Sequence, residues 1–354
     1  MKIAQVAPLY ERVPPQMYGG TERVVSYLTE ELVSQGHEVT LFASGDSVTS
    51  AKLISPCVEA LRLSSTCIDQ YVHHVLMMEM VQKMKNDFDI IHYHIDYMHF
   101  PLSRYSDIPH VTTLHGRLDI PDLVPLYKEF NDIPVISISY NQRKPIANAN
   151  WTTNVYHGLP YDLLGFNPVG GEYLAWVGRI SPEKRVDRAI EISIKCNMPL
   201  KIAAKVDKVD YQYYINEIKP KLNHPLIEFI GEIGDDKKSD FIGNAKALLF
   251  PIDWPEPFGL VMIEAMACGT PVIAFNNGSV PEIIDEGVTG FIVNSVEEAV
   301  EVVNNKIQHM SREVCRLVFE DRFSAERMAN DYIESYKSLI RLKNKDSLPE
   351  LNIM

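Results

Sequence analysis

Glu256-Pro-Phe-Gly-Leu-Val-Met-Ile-Glu264 holds two carboxylates separated by seven residues, the first in a turn and the second inside a helix. Pro257 and Gly259 mark the turn. The helix that follows reads Leu260 to Cys268, and apart from Glu264 each of its side chains is apolar. Such a pattern predicts a helix buried on all sides. A carboxylate in that setting is costly unless something engages it. Its oxygens only accept hydrogen bonds, and two acceptors suit a vicinal diol. A ribose 2′,3′-diol fits Glu264 and sugar hydroxyls fit Glu256; the alternative for Glu264 is an ion pair with an arginine of the core.

Outward from this stretch, short β-branched runs alternate with helical patterns, as in parallel α/β architecture. Strands Ala247–Phe250 and Pro271–Phe275 bracket it, and Tyr173–Val177, Leu200–Ala204, Ile227–Ile230 and Phe291–Val293 belong to the same series. Helix Pro182–Cys196 carries an apolar stripe at Val186, Ala189, Ile190 and Ile194. An earlier series reads Ile3–Ala7, Glu38–Ala43, Ile90–His94, Val111–Leu114, Val135–Ser137 and Trp151–Val155. Its first helix has a stripe at Val24, Val25, Leu28, Leu32 and Val33 and stops at Gly36, a residue that tolerates positive φ. The Gly/Pro-rich stretch Tyr156–Gly171 divides the two series. Two Rossmann-like domains are expected, 1–160 and 171–323. Residues 324–354 form a last helix, capped by Ser324 and running to about Leu342, that crosses back onto the first domain, with a frayed tail from Asn344.

The composition agrees. A chain of 354 residues is long for one core and natural for two. With 46% apolar and 23% charged residues it is ordinary globular material. A formal net charge of −13 argues against a nucleic-acid partner. The five cysteines are scattered without a Cys-x-x-Cys pair, which fits a reducing compartment rather than a disulfide framework or zinc site. No signal peptide and no apolar run of spanning length is visible, so a cytoplasmic protein is expected.

Glu256 through Pro271, from Glu-Pro-Phe-Gly to Glu-Ala-Met-Ala-Cys-Gly-Thr-Pro, resembles family four of the retaining glycosyltransferases. The resemblance implies a GT-B fold, two doubly wound domains facing across a cleft. It implies that Glu256 contacts the donor sugar, that Glu264 contacts the ribose, and that the backbone of Phe258, Gly259 and Leu260 helps hold sugar and phosphates. It also implies that the loop Gly231-Glu232-Ile233 lies beside the nucleotide base.

Further motifs fit this frame. In Gly178-Arg179-Ile180-Ser181-Pro182-Glu183-Lys184, Ser181 reads as an N-cap and Pro182 as the first helical residue. Arg179 and Lys184 then converge on a helix N-terminus, where cations oppose the dipole unless an anion lies between them. A diphosphate fits; a solvated charged turn is the plainer alternative. By the resemblance, these two residues neutralise the leaving diphosphate. Tyr18-Gly19-Gly20-Thr21 lacks the Gly-x-Gly-x-x-Gly pattern of nicotinamide sites, yet Gly19 and Gly20 permit close backbone approach. The family places this loop beside the donor phosphate and acceptor. His115 ends a first-domain strand and matches a family histidine near the anomeric region, though a strand-end histidine by itself reads as a structural hydrogen bonder. Asp87-Phe-Asp89 looks like an Asp-x-Asp metal motif but is better read as the start of strand Ile90–His94. His92, His94 and Asp96 read as a polar strand end on the acceptor side.

The expected activity is therefore metal-independent transfer of a sugar, UDP-glucose-like or else GDP-mannose-like, to a carbohydrate or other hydroxyl acceptor, with no cofactor. A nucleotide-sugar 2-epimerase shares the architecture, and a non-catalytic nucleotide-sugar binder is the rival of a different class.

Overall fold

A computed structural model describes residues 1–17, 19–62 and 64–346; Tyr18 of the Gly-Gly loop and the tail beyond 346 lie outside it. The described chain forms two units. Residues 1–138, 143–158 and 325–346 make the first, and residues 139–142 and 159–324 the second.

In the first unit, β1 (Lys2–Val6), β2 (Glu38–Phe42), β3 (Lys52–Ile54), β4 (Ile90–Tyr93), β5 (His110–Thr113), β6 (Val135–Ser137) and β7 (Trp151–Asn154) form one sheet in the order β3-β2-β1-β4-β5-β6-β7. All its pairs are parallel. The β3 strand has no counterpart in the sequence reading, because a three-residue edge strand is too short to show a period. Helix Gly20–Ser34 buries Val24, Val25, Leu28 and Leu32, and Gly36 follows it at φ +83°. The last helix, Ala325–Asp346, packs on Gly20–Ser34 and buries Met328, Ala329, Tyr332 and Tyr336, a stripe of helical spacing.

In the second unit, β8 (Leu174–Arg179), β9 (Leu200–Lys205), β10 (Ile227–Gly231), β11 (Ala247–Phe250), β12 (Val272–Phe275) and β13 (Gly290–Val293) pair in parallel in the order β10-β9-β8-β11-β12-β13. That is the doubly wound order, which reverses direction between its first and fourth strands. Strands buried on both faces read as continuous apolar runs, as Ala-Leu-Leu-Phe of β11 does.

Helix Pro182–Cys196 is not continuous. Pro182–Lys184 is a separate 3-10 turn, Arg185 adopts the left-handed conformation (φ 51°, ψ 49°), and the α-helix begins at Val186. The Arg185 guanidinium forks onto Asp187 at 2.8–3.1 Å and onto Asp253 at 2.9 Å, which holds this backbone reversal. The buried face shifts too. Val186, Ala189, Ile190 and Ile192 are buried, whereas Ile194 is 41% exposed. Helix Val186–Cys196 also packs on helix Val296–Asn305, so burial spreads beyond a single stripe.

Ile192→Ala should therefore cost ~2–4 kcal/mol of stability through lost burial and a residual cavity. Ile194→Ala should stay within about 0.5 kcal/mol. Thermal or denaturant unfolding of the two variants checks the assignment; the reverse ranking would restore the stripe read from the sequence.

Candidate functional site

In the second unit the expected site residues hang from the carboxyl ends of β8, β10 and β11, which is where parallel sheets gather ligands. Arg179 is the last residue of β8. Its guanidinium meets Glu183 at 2.8 Å, Asp210 at 3.2 Å and Asp207 at 3.8 Å. Lys184 donates a short hydrogen bond to Glu256 Oε2, and the Trp254 indole N–H donates to the same oxygen at 2.9 Å. The Lys184 ammonium also lies 5.0 Å from the centre of a Trp254 ring and 5.8 Å from that of Phe250. The Asp253 amide donates to the Glu183 carbonyl at 2.8 Å, tying the Pro182–Lys184 turn to the loop that carries Glu256.

Two local expectations are corrected here. Ser181 makes no capping hydrogen bond, and the turn holding Lys184 precedes the helix instead of opening it. The positive ends are balanced by Glu183, Asp207, Asp210 and Glu256 of the chain itself.

The Glu256–Leu260 segment is held by close backbone packing. Gly278 lies so near it that a Cβ there would sit 2.3 Å from the Glu256 nitrogen and 2.4 Å from its carbonyl oxygen. The Ser279 amide donates to the Glu256 carbonyl at 2.9 Å, and the Ser279 hydroxyl donates to that of Phe258 at 2.7 Å. Phe258 is buried. Gly259 is left-handed at φ +83° and precedes helix Leu260–Ala267, which begins at Leu260. A Cβ on Gly259 would approach the movable Met262 methyl to 2.8 Å and Phe250 to 3.1 Å, so it is the left-handed backbone more than the space that favours glycine there.

Glu264 is 4% exposed and is engaged without any ligand: the Lys238 ammonium donates to its Oε1 at 2.8 Å. The partner is a lysine of helix Asp235–Gly243, not a core arginine, and the carboxylate does not wait for a ribose to be paired. Its Oε2 makes no hydrogen bond among the described residues. Gly231 (φ +87°) and half-buried Ile233 lead into the same helix, so the loop expected beside the base is tied through Lys238 to the carboxylate expected on the ribose.

Gly19, Gly20 and His115 lie in the first unit. Gly19 has φ +154° and abuts Pro15, where a Cβ would come within 2.8 Å. Behind it Glu22 is buried in the first turn of helix Gly20–Ser34, and burial pushes its carboxyl up from the usual range.

His115 follows β5 and stacks near-parallel on His157 at 5.3 Å. Its Nε2 lies 2.8 Å from His94 Nδ1, and His94 Nε2 lies 2.7 Å from Gln5 Oε1. The Gln5 amide donates to the Tyr336 hydroxyl at 3.1 Å, which is 2.7 Å from His92 Nδ1. His92 Nε2 meets Thr113 Oγ1 at 2.8 Å, and Thr113 meets the Tyr332 hydroxyl at 3.0 Å. Thus His92 and His94 have both ring nitrogens committed to protein partners. Burial depresses the imidazoles of His92, His94 and His157 far below their usual value, and that of His115 to about 3.

Sequence reasoning missed Trp254, Lys238, Gly278, Gln5 and Tyr336. Trp254 stands two residues from a motif glutamate and was within reach of inspection. Gln5 is a polar residue inside an apolar strand, also a usable signal. Lys238 and Tyr336 come from distant helices and carry no local mark.

Comparison with known proteins adds the following. The model of the glycosyl transferases group 1 matches residues 166–313, and that of glycosyltransferase family 4 matches residues 18–159. A glycosyltransferase of Methanocaldococcus jannaschii is 26% identical over 341 residues, 83% of this chain and 85% of that one. A 41.2 kDa protein of the cps region of Klebsiella pneumoniae is 29% identical over 173 residues, 47% of this chain and 46% of its own length. Among solved structures, sucrose-phosphate synthase from Thermosynechococcus elongatus superposes with a TM-score of 0.78 at 17% identity, covering 97% of this chain and 100% of that one. Anabaena HepE in complex with UDP and glucose gives 0.73 at 18% identity, covering 96% and 100%.

The depressed histidines make stability depend on pH. Unfolded, each takes up a proton near pH ~6.5, while the folded chain keeps it neutral. The unfolded state therefore binds more protons below that pH, and stability is lost as pH falls, by up to ~1.4 kcal/mol per pH unit for each histidine. Glu22, Asp210 and Asp96, the last pushed up to about 6, are raised by burial and work in the opposite sense, against the depressed His92, His94, His99, His115 and His157. Melting temperatures should be level above about pH 7 and fall steadily below about 6.5. A melting temperature that rises on acidification would mean that these imidazoles are charged in the folded chain.

Proposed function

Because the chain belongs to the family 4 glycosyltransferases and has the GT-B fold, we propose that it moves a hexosyl group from a nucleoside-diphosphate sugar to a hydroxyl acceptor, with retention and without a metal ion. The observation that carries this reading is the Lys184–Glu256 pair, flanked by Arg179 among its own carboxylates. A donor brings what such pairs require for exchange. Its diphosphate offers oxygens to Lys184 and Arg179, and its sugar hydroxyls offer donors to Glu256. Lys184 and Arg179 then trade one anionic partner for another, while Glu256 trades an ammonium for neutral hydroxyl donors that still satisfy its oxygens.

The chemistry follows from that exchange. The acceptor oxygen forms a bond to the anomeric carbon on the face from which the diphosphate departs. The anomeric C–O bond breaks with its electron pair going to the diphosphate, and the acceptor proton passes to a diphosphate oxygen. Arg179 and Lys184 stabilise the charge that develops there, an effect worth ~3–4 kcal/mol for a well-placed donor. The two cations supply the counter-charge that a divalent ion supplies elsewhere, which supports metal independence. Oε2 of Glu264 is the acceptor for a ribose hydroxyl, while Lys238 keeps Oε1 fixed. UDP-glucose is the donor we favour, by analogy with the HepE complex, with GDP-mannose second.

A panel of nucleotide sugars, read by thermal shift and by product formation with and without EDTA, tests this directly. The expected outcome is stabilisation by UDP and a UDP-sugar, and turnover that survives chelation. Stabilisation by GDP alone would change the donor. Activity abolished by EDTA and restored by manganese would move the counter-charge to a metal.

The two glutamates should separate. Glu264→Gln should weaken nucleoside-diphosphate binding by ~1–3 kcal/mol, the worth of a charge-assisted hydrogen bond. Glu256→Gln should leave that affinity unchanged or tighter, since it releases Lys184, while turnover falls because the sugar loses its hold. Calorimetry beside transfer rates reads both effects. Equal loss of nucleotide affinity in the two variants would make the motif a nucleotide clamp only.

A further inference from the structure

The hydrogen-bond chain behind His115 has a direction, and Gln5 sets it. The Gln5 carbonyl oxygen can only accept, so its partner His94 Nε2 must carry a proton. A neutral His94 then has a bare Nδ1, which accepts from Nε2–H of His115. On the other side the Gln5 amide donates to the Tyr336 hydroxyl. That hydroxyl also meets His92 Nδ1, and His92 Nε2 meets Thr113 Oγ1. His94 and His115 are thereby both fixed as the Nε2–H tautomer. At the open end, His115 Nδ1 is screened from solvent and makes no hydrogen bond among the described residues. An unsatisfied buried acceptor costs about 1–3 kcal/mol, and such a cost is expected where a ligand group is to meet it.

We propose that Gln5, His94 and Tyr336 are positioning residues that lock His115 as a neutral Nε2–H tautomer, so that toward a bound acceptor it offers Nδ1 as a hydrogen-bond acceptor for a hydroxyl and has no proton to give. The anchor of this lock is the last helix, since Tyr336 lies 331 residues from Gln5 in the chain. The depressed imidazoles of His92 and His94 agree, because a protonated ring anywhere in the chain would break its direction. His115 is then excluded as the acid that protonates a leaving group.

The ligand side of this proposal rests on the transfer reaction inferred above; the tautomer does not. Long-range nitrogen–proton NMR of the ¹⁵N-histidine-labelled full chain at pH 7.5 reads it without any activity. The expected spectrum shows His115 with Nε2 protonated and Nδ1 bare. Gln5→Leu should mix the two tautomers, and Tyr336→Phe, which removes a single hydroxyl, gives a second variant should the first fail to fold. Transfer rates should fall about tenfold or more in a variant that mixes tautomers, with the donor KM little changed, as for a misaligned reacting group. A His115 that is Nδ1-protonated or cationic in the wild-type chain overturns the proposal whatever the activity. So does a variant with mixed tautomers that transfers at the wild-type rate. If no sugar is transferred by the wild-type chain, the transfer reading fails and the tautomer lock is judged on its spectrum alone.

Discussion

A parallel sheet whose strand order reverses beside its first strand leaves two neighbouring loops that turn to opposite faces, and a gap between them. Both sheets here have that reversal, at β1/β4 and at β8/β11. The residues with chemistry to offer stand at those points. Arg179 closes β8, the segment after β11 carries Trp254 and Glu256, and His94 follows β4. The crowded backbones around them follow from the same constraint. Gly278 holds the Glu256 segment at a distance no side chain would permit, and Gly259 supplies the left-handed turn that follows it.

Within that frame the second unit pairs its charges internally. Glu256 sits on Lys184, while Glu183, Asp207 and Asp210 gather round Arg179. These groups are partly shielded from water, where an unpaired charge is expensive and a paired one gives little net stability. Glu264 is paired in the same way: Lys238 meets one of its oxygens, and the other makes no hydrogen bond among the described residues.

Much of this was legible beforehand. The strand series, the helix Leu260–Ala267 with its lone carboxylate, and the turn at Gly36 followed from periodicity and from residues with narrow conformational roles. The split at Arg185 did not. Nothing in Pro182–Cys196 breaks helical periodicity; the reversal is held by Arg185 on Asp187 and on Asp253, the latter a residue of another loop. The three-residue β3 was too short for any pattern to register. Lys238 likewise is an unremarkable lysine on a polar helix until the fold sets it against Glu264. What escaped the sequence is pairing between segments far apart in the chain, whereas local geometry and burial period were readable. Gln5 shows the boundary between the two: its presence inside an apolar strand was visible, its partners were not.

The two ends of the first unit impose an order on the making of the protein. Its sheet is begun by residue 2, yet the helix that supplies Tyr332 and Tyr336 starts only at Ala325, after the whole second unit. At ~5–20 residues per second of synthesis, a nascent chain carries Gln5, His92 and His94 for tens of seconds before their hydroxyl partner exists. During that interval the buried histidines lack the group that orients them, and helix Gly20–Ser34 lacks the face that covers it. The second unit, continuous but for four residues, is under no such delay. On the ribosome this protein is therefore completed from its middle outward, and a chain stopped short of its last thirty residues would keep a finished charge-bearing unit beside one still open at its core.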